Sequence, residues 1–223
     1  MEQTTFDYTP YEIEPGVILV DKPKGISSFD CIRILRKKLN IRKMGHAGTL
    51  DPNASGLMII ALEKATKRLA HFLKLSKVYE AEIVLGITTD SGDTTGNVLE
   101  TTQVPSEITE EVVRKAIASL VGELQLPVPI FSAIKKEGKR LYEYAREGVV
   151  VEVPMKTMVV HEASIETIEL PRITVRFSVA SGVYIRSLAV ALGQQLKTGA
   201  TLAGLRRTKI DKWSVDKALK LER

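Results

Sequence analysis

The chain has 223 residues, 32 Lys plus Arg against 27 Asp plus Glu, a formal charge of +5, and one cysteine, Cys31. That length can bury a sizeable core in one large domain or a domain with a small extension, and a lone cysteine excludes both an internal disulfide and a zinc site built on paired cysteines. No apolar run is long enough to span a bilayer and Met1–Thr5 lacks a secretory pattern, so a soluble cytoplasmic protein is expected, with a basic excess that suits a polyanionic partner.

Residues 1–15 are polar and aperiodic and contain Pro10 and Pro15, which predicts a loosely ordered lead-in; residues 16–223 form the expected domain. Gly16 to Val20 is a β-branched run that ends at Asp21-Lys22-Pro23-Lys24-Gly25, a strand followed by a turn. Ser27 and Asp30 have capping-box spacing, and Phe29, Ile32, Leu35 and Leu39 then recur at helical spacing with basic residues on the other faces. Gly45 to Gly56 is a loop, Leu57 to Leu62 a buried strand, Ala65 to Leu75 helical and Val78 to Leu85 a strand. Thr88 to Gly96 reads as a polar turn region.

Thr109 can cap a helix whose first turn holds Glu110 and Glu111 and which stops near Gly122. Arg140 to Glu147 is a short helix, and Val149 to Ile168 are strands around Pro154. Ile173, Val175, Phe177 and Val179 alternate with Thr174, Arg176, Ser178 and Ala180 as in a half-buried strand, and Tyr184 to Lys197 is a helix stopped at Gly199. The irregular order of elements predicts an α/β protein of the α+β kind, with a mixed or antiparallel sheet and helices, rather than a βαβ repeat.

Charge is concentrated in two runs: Arg33, Arg36, Lys37, Lys38, Arg42 and Lys43, and then Arg206, Arg207, Lys209 and Lys212. Either run alone reads as a solvated face. Two runs flanking polar motif segments point toward phosphate contacts, which dominate nucleic-acid affinity.

Gly45-His46-Ala47-Gly48-Thr49-Leu50-Asp51-Pro52-Asn53-Ala54-Ser55-Gly56 is the densest functional signal. Its glycines let backbone approach a ligand closely, and Pro52 constrains the chain just after a carboxylate that Leu50 partly shields from water. On the residues alone, Asp51 is either a reactive carboxylate or a turn cap, and His46 either a ligand or a hydrogen-bonded structural residue.

Five further segments stand in order along the chain: Val20-Asp21-Lys22-Pro23 with Gly25-Ile26-Ser27-Ser28; Lys77-Val78-Tyr79-Glu80-Ala81 with Thr89-Asp90-Ser91-Gly92-Asp93; Pro129 to Lys135 with Gly138 to Glu143; Gly182 to Leu188; and Leu205-Arg206-Arg207-Thr208. Together with the Asp51 segment, from about residue 16 to the end, they closely resemble the bacterial tRNA pseudouridine 55 synthases of the TruB type. Six ordered motifs are far more specific than one pattern.

The resemblance implies the pseudouridine synthase fold, one domain with a central, largely antiparallel mixed sheet flanked by helices and a cleft holding Asp51. It implies isomerisation of a uridine in the T-loop of tRNA, position 55, to pseudouridine, with no cofactor, no metal and no obligatory protein partner; a monomer is expected. Asp51 matches the family nucleophile, Arg186 the residue that pairs with it, and Tyr79 the aromatic that stacks on the extruded base and can assist proton removal at C5. Tyr184 and Leu205 match residues lining the same pocket, and His46 matches a residue expected in the space the base vacates. Lys22 is expected to contact phosphate and Asp93 the nucleotide.

The family commonly carries a C-terminal RNA-binding PUA module, and this chain reaches Ala218 to Arg223 where the catalytic domain would end. A short form without that module, binding tRNA more weakly and with more salt sensitivity, is the expectation. Asn53, Ser55, Ser181 and Phe131 depart from the usual family residues without touching Asp51, Tyr79 or Arg186. The competing readings are a guide-RNA-directed relative, a tRNA chaperone without catalysis, and a carboxylate hydrolase; the last lacks a second carboxylate at motif-like spacing.

Overall fold

The computed structural model describes residues 6–221. The first five residues of the expected lead-in therefore lie outside the described residues. The chain forms two compact units, Met1–Glu80 with Leu205–Arg223, and Ala81–Gly204.

The first unit begins with a 3-10 turn at Thr9–Tyr11 and strand β1 (Glu12–Glu14), antiparallel to β2 (Val17–Lys22). The lead-in thus carries a strand that sequence pattern missed, because three residues are too few for alternation to register. Helix α1 (Ser28–Leu39), β3 (Met44–His46), β4 (Ser55–Leu62), a 3-10 stretch at Glu63–Arg68 and α2 (Leu69–Leu73) follow. Strand β5 (Lys77–Leu85) leaves this unit after Glu80.

In the second unit come β6 (Ile87–Thr89), β7 (Val98–Thr101), α3 (Glu110–Ala118), β8 (Gly122–Pro127), β9 (Lys135–Lys136), β10 (Lys139–Arg140) and α4 (Leu141–Arg146). They are followed by β11 (Met155–Glu169), β12 (Arg172–Val179), α5 (Ile185–Leu196) and β13 (Ala200–Ile210), which re-enters the first unit at Leu205. Strands β14 (Trp213–Ser214) and β15 (Leu219–Lys220) end the described chain.

Pairing in the first unit is mixed. β2 runs antiparallel to β1 and to β4, from Val17↔Ala61 to Lys22↔Gly56, and β3 is antiparallel to β4. β13 lies parallel to β4 and β15 parallel to β2. In the second unit β11 is antiparallel to both β12 and β8, while β6/β7 and β9/β10 form separate hairpins. Helix α3 packs on α5 and β11, and α5 also on β8. This is the α/β architecture with a largely antiparallel mixed sheet that the sequence predicts.

The core follows the apolar runs. Val17, Leu19, Leu57, Ile59, Phe72 and Ile210 are buried together in the first unit, and Ile173, Val175, Phe177 and Val179 give β12 its buried face. Helix α1 starts as expected, with Ser27 accepting from the Asp30 N–H and Asp30 accepting from the Ser27 N–H. Its buried stripe is Ser28, Cys31, Ile32, Leu35 and Leu39. Phe29, assigned to that stripe by spacing, is instead 56% exposed. It sits about 60° around the helix from Ile32, beyond the edge of the face that meets the sheet. Burial pushes the Cys31 thiol up to about 11, so it acts as a small core residue rather than a reactive one. Among the described residues no helix is long and apolar enough to cross a membrane.

Candidate active site

In the first unit, β3 and β4 are the arms of a hairpin, with Met44↔Leu62, Gly45↔Ala61 and His46↔Ile60, and residues 47–54 are its connection. Asp51 lies half-buried near the middle of that connection. Side chains and backbone from outside the loop hold it at Leu50, Pro52 and Gly48. The buried Ser28 hydroxyl accepts from the Leu50 N–H at 2.8 Å and donates to the Leu50 carbonyl at 2.9 Å. The Gly25 N–H donates to the Pro52 carbonyl at 2.7 Å. Lys22 Nζ reaches the same carbonyl at 3.4 Å, and Arg207 Nη2 donates to the Gly48 carbonyl at 3.1 Å. Inside the loop the Ala54 N–H closes onto the Asp51 carbonyl at 3.0 Å.

Gly56, the second residue of β4, has φ +110, with its missing Cβ aimed at the Arg207 backbone. Only glycine permits both that dihedral and the parallel pairing Arg207↔Gly56. Arg207 is 1% exposed, and its Nε donates to the Leu57 carbonyl at 2.7 Å. Arg206 forms a two-pronged pair with Asp21 at 2.8 and 3.1 Å. The second basic run is thus not an open phosphate-binding face at these two positions: it lies along β13, with Arg207 buried in the unit and the part-exposed Arg206 paired with Asp21.

Lys22, expected to contact phosphate, needs the same correction. It is 0% exposed, and its ammonium donates to the carbonyls of Ile26 at 2.7 Å and Pro23 at 3.0 Å besides Pro52. Burial holds its pKa below the usual lysine value, against the raising fields of Cys31, Asp51 and Asp30. It is a structural cation at the foot of the Asp51 loop.

His46 ends β3. Its Nδ1 is buried without a hydrogen-bond partner, and burial followed by the charge of Arg207 lowers its pKa. An empty lone pair is cheaper to bury than an unmet N–H, so the neutral ring carries its proton on Nε2. Tyr79 and Lys77 share the buried face of β5. Leu205 is half-buried on β13.

Lys77 Nζ donates to the Leu73 and Leu75 carbonyls, and burial, aided by Arg207, takes its pKa down from 10.5 to about 8. Between those values the unfolded chain binds the extra proton. The stability Lys77 contributes is therefore complete above about 10.5 and lost as pH falls through about 8. Urea denaturation across that window is expected to show the wild type gaining on Lys77→Met as pH rises; a pH-independent gap would refute the assignment.

In the second unit Arg186 is buried in the first turn of α5, its two Nη atoms donating to the Ser91 and Phe131 carbonyls, each at 3.0 Å. Asp93 faces it, Oδ2 lying 3.8 Å from Nε, while Oδ1 accepts from the Ser91 hydroxyl at 3.0 Å and the Thr95 N–H at 2.9 Å. The Asp93 carboxylate, expected to contact the nucleotide, is buried, engages Ser91 and Thr95 through Oδ1 and lies beside the Arg186 guanidinium through Oδ2. Tyr184, the N-cap of α5, is half-buried.

The chemistry available is that of an aspartate on a loop fixed before substrate arrives, a buried strand tyrosine, and a buried arginine oriented by a carboxylate. The sequence model of the TruB family pseudouridylate synthases, N-terminal domain, matches residues 36–185. The chain belongs to the TruB family. It is 41% identical to the tRNA pseudouridine synthase B of Aromatoleum aromaticum, over 94% of this chain and 67% of that protein. Identity to the proteins of the same name in Endomicrobium trichonymphae and Opitutus terrae is 42% and 44%, over 93% of this chain and 90% and 86% of theirs. Among solved structures it resembles a chain of a Cbf5–Nop10–Gar1 complex, with 30% identity and a TM-score of 0.71 over 92% of this chain and 52% of that one. A chain of an H/ACA RNP bound to a substrate RNA containing 2′-deoxyuridine gives 26% and 0.68 over 99% and 57%. This TruB-family chain spans little more than half the length of those solved chains.

Several residues of this TruB-family site escaped sequence reasoning. Ser28 was overshadowed by the capping box of Ser27. Lys77 carried a usable signal, its two-residue spacing from Tyr79 on a strand. Lys156 carried none: from β11 it donates to the Gly182 carbonyl at 2.8 Å and lies 5.5 Å from the Tyr184 ring centroid, bringing a cation to the turn where Ser181 replaces the expected lysine. Ser28→Ala would leave both backbone polar groups of Leu50 buried and unpaired. A fall in kcat of about 10- to 100-fold is expected, with KM nearly unchanged and Ser28→Thr restoring the rate. A loss carried by KM would contradict that latch role.

Proposed function

We propose that this chain isomerises the T-loop uridine at position 55 of tRNA to pseudouridine, with Asp51 as the nucleophile and residues 16–223 working as one catalytic domain. The observation that carries this reading is the Asp51 loop of a TruB-family chain, pinned at Gly48, Leu50 and Pro52 by side chains and backbone outside it. Such pinning sets the carboxylate in place before the RNA arrives, so little ordering remains for the reaction step. The uridine is extruded from its stack, and Tyr79 stacks on the flipped base.

The bond from C1′ to N1 breaks with Asp51 assisting, the base turns, and C1′ joins C5. The proton at C5 is removed with the help of the Tyr79 hydroxyl, and N1 regains one, so the isomerisation balances without cofactor or metal. Arg186 serves as a cation, held in place by Asp93, while Tyr184 and Leu205 line the pocket, the roles the family resemblance assigns them. His46 fills the space left by the base with its Nε2–H outward. The protein acts on tRNA in the cytoplasm as a monomer without an obligatory protein partner.

Tritium release from an unmodified tRNA transcript labelled at uridine C5 tests this. Release mapped to the T-loop uridine is expected. Release from another uridine would keep the reaction and overturn the target. Tight tRNA binding with no release would favour a chaperone that refolds tRNA without chemistry.

A further inference from the structure

The sequence places Phe29 with the core of α1, but the structure turns it outward. Around the helix Phe29, Arg33, Arg36 and Lys37 stand at i, i+4, i+7 and i+8, on one flank beside the stripe of Cys31, Ile32, Leu35 and Leu39, with Arg36 part-buried and the other three exposed. Phe29 is 56% exposed and the Arg33 side chain 68%. The helix holds one acid, Asp30, which is occupied with the Ser27 cap and Arg33, so the face keeps a net positive charge. The Arg36 guanidinium lies 5.7 Å from the Phe29 ring centroid, and its Nε is buried with no hydrogen-bond partner among the described residues. An aromatic ring flanked by guanidinium and ammonium groups in excess of acid is the surface used to follow a polynucleotide backbone, with phosphates on the cations and a base or sugar against the ring.

We propose that this face of α1 is a second RNA-binding track, taking the phosphates and one unpaired nucleotide of the same RNA whose uridine meets Asp51. The proposal rests on the RNA-modifying reading above and adds a surface to it. Two features tie the face to that RNA. Ser28, next to Phe29, is the residue whose hydroxyl makes both bonds to Leu50, so α1 is hydrogen-bonded directly to the Asp51 loop. The helix is about 18 Å long, enough to follow several nucleotides away from the flipped uridine. Charge complementarity selects the occupant, since the face presents three cations against a single acid, Asp30.

The test is a titration of fluorophore-labelled unmodified tRNA transcript at several salt concentrations, alongside steady-state tritium release, with the Arg33→Gln/Arg36→Gln/Lys37→Gln triple variant and with Phe29→Ala. Glutamine keeps helix propensity, and circular dichroism checks that the exposed substitutions leave the fold intact. The control is Arg114→Gln/Lys115→Gln/Lys217→Gln, which removes equal charge from other elements. The triple variant is expected to weaken binding about tenfold or more and to flatten the log K against log salt slope by about two, with the rate loss carried by KM. Phe29→Ala is expected to weaken binding about fivefold or more with the salt slope unchanged. A triple variant that behaves like the control overturns the proposal and leaves the face to an acidic protein partner. If the wild type releases no tritium, the reaction reading fails, while the salt slope still decides this surface.

Discussion

Asp51→Asn is expected to abolish tritium release, by ~10⁴-fold or more, while the protein folds and binds tRNA much as before. Asparagine has nearly the shape of aspartate but neither its charge nor its nucleophilicity, so what is lost is the carboxylate's part in breaking the bond from C1′ to N1. The backbone of the loop has anchors apart from that carboxylate. Leu50 is held by Ser28, the Pro52 carbonyl by Gly25 and Lys22, and the Asp51 carbonyl by Ala54. Melting temperature and tRNA affinity are therefore expected to stay close to wild type, which separates a chemical defect from a folding one. Residual turnover within about tenfold of wild type would rule out Asp51 as the nucleophile.

Lys22→Met is expected to do the opposite, damaging the fold first and the rate through it. Methionine fills the volume but leaves the carbonyls of Pro23, Ile26 and Pro52 without the ammonium that now binds all three. Losing charged hydrogen bonds inside the unit costs about 3 kcal/mol, or about 6–12 °C in Tm for a chain of this size. Below the lowered Tm, kcat is expected to fall because the Pro52 carbonyl loses one of its two anchors. A lysine that bound phosphate would behave differently, with Tm unchanged, KM raised and the salt slope flattened. Thermal melting and a KM measurement on the one variant distinguish the two roles.

The two predictions rest on residues of different legibility. The place of Asp51 in a loop could be read from the chain because that segment is contiguous: twelve residues carry glycines, a proline and the carboxylate together, and β3 and β4 form the hairpin around them. Lys22 was visible as a residue but not as a buried one. A lysine after a strand and before a turn is ordinarily solvated, and only the return of the chain at Pro52 encloses it. Arg206 and Arg207 were misread for the same reason. Adjacent arginines near a chain end look like a basic patch until β13 lies parallel to β4 and turns one onto Asp21 and the other under Gly48 and Leu57.

Local order and chemical identity were determined by the sequence itself. The cap and extent of α1, the buried run of β4, the alternation of β12 and the placement of Asp51 in a glycine-rich loop are all short-range properties, set by side-chain period and backbone preference. The tertiary structure decided which polar groups are structural. A charge enters the interior only where carbonyls or carboxylates from distant segments gather to receive it. That gathering gave Ser28 its latch on Leu50, Lys22 the Pro52 carbonyl and Asp93 its guanidinium partner, while away from the buried stripe of α1 Phe29 stays exposed beside Arg33, Arg36 and Lys37.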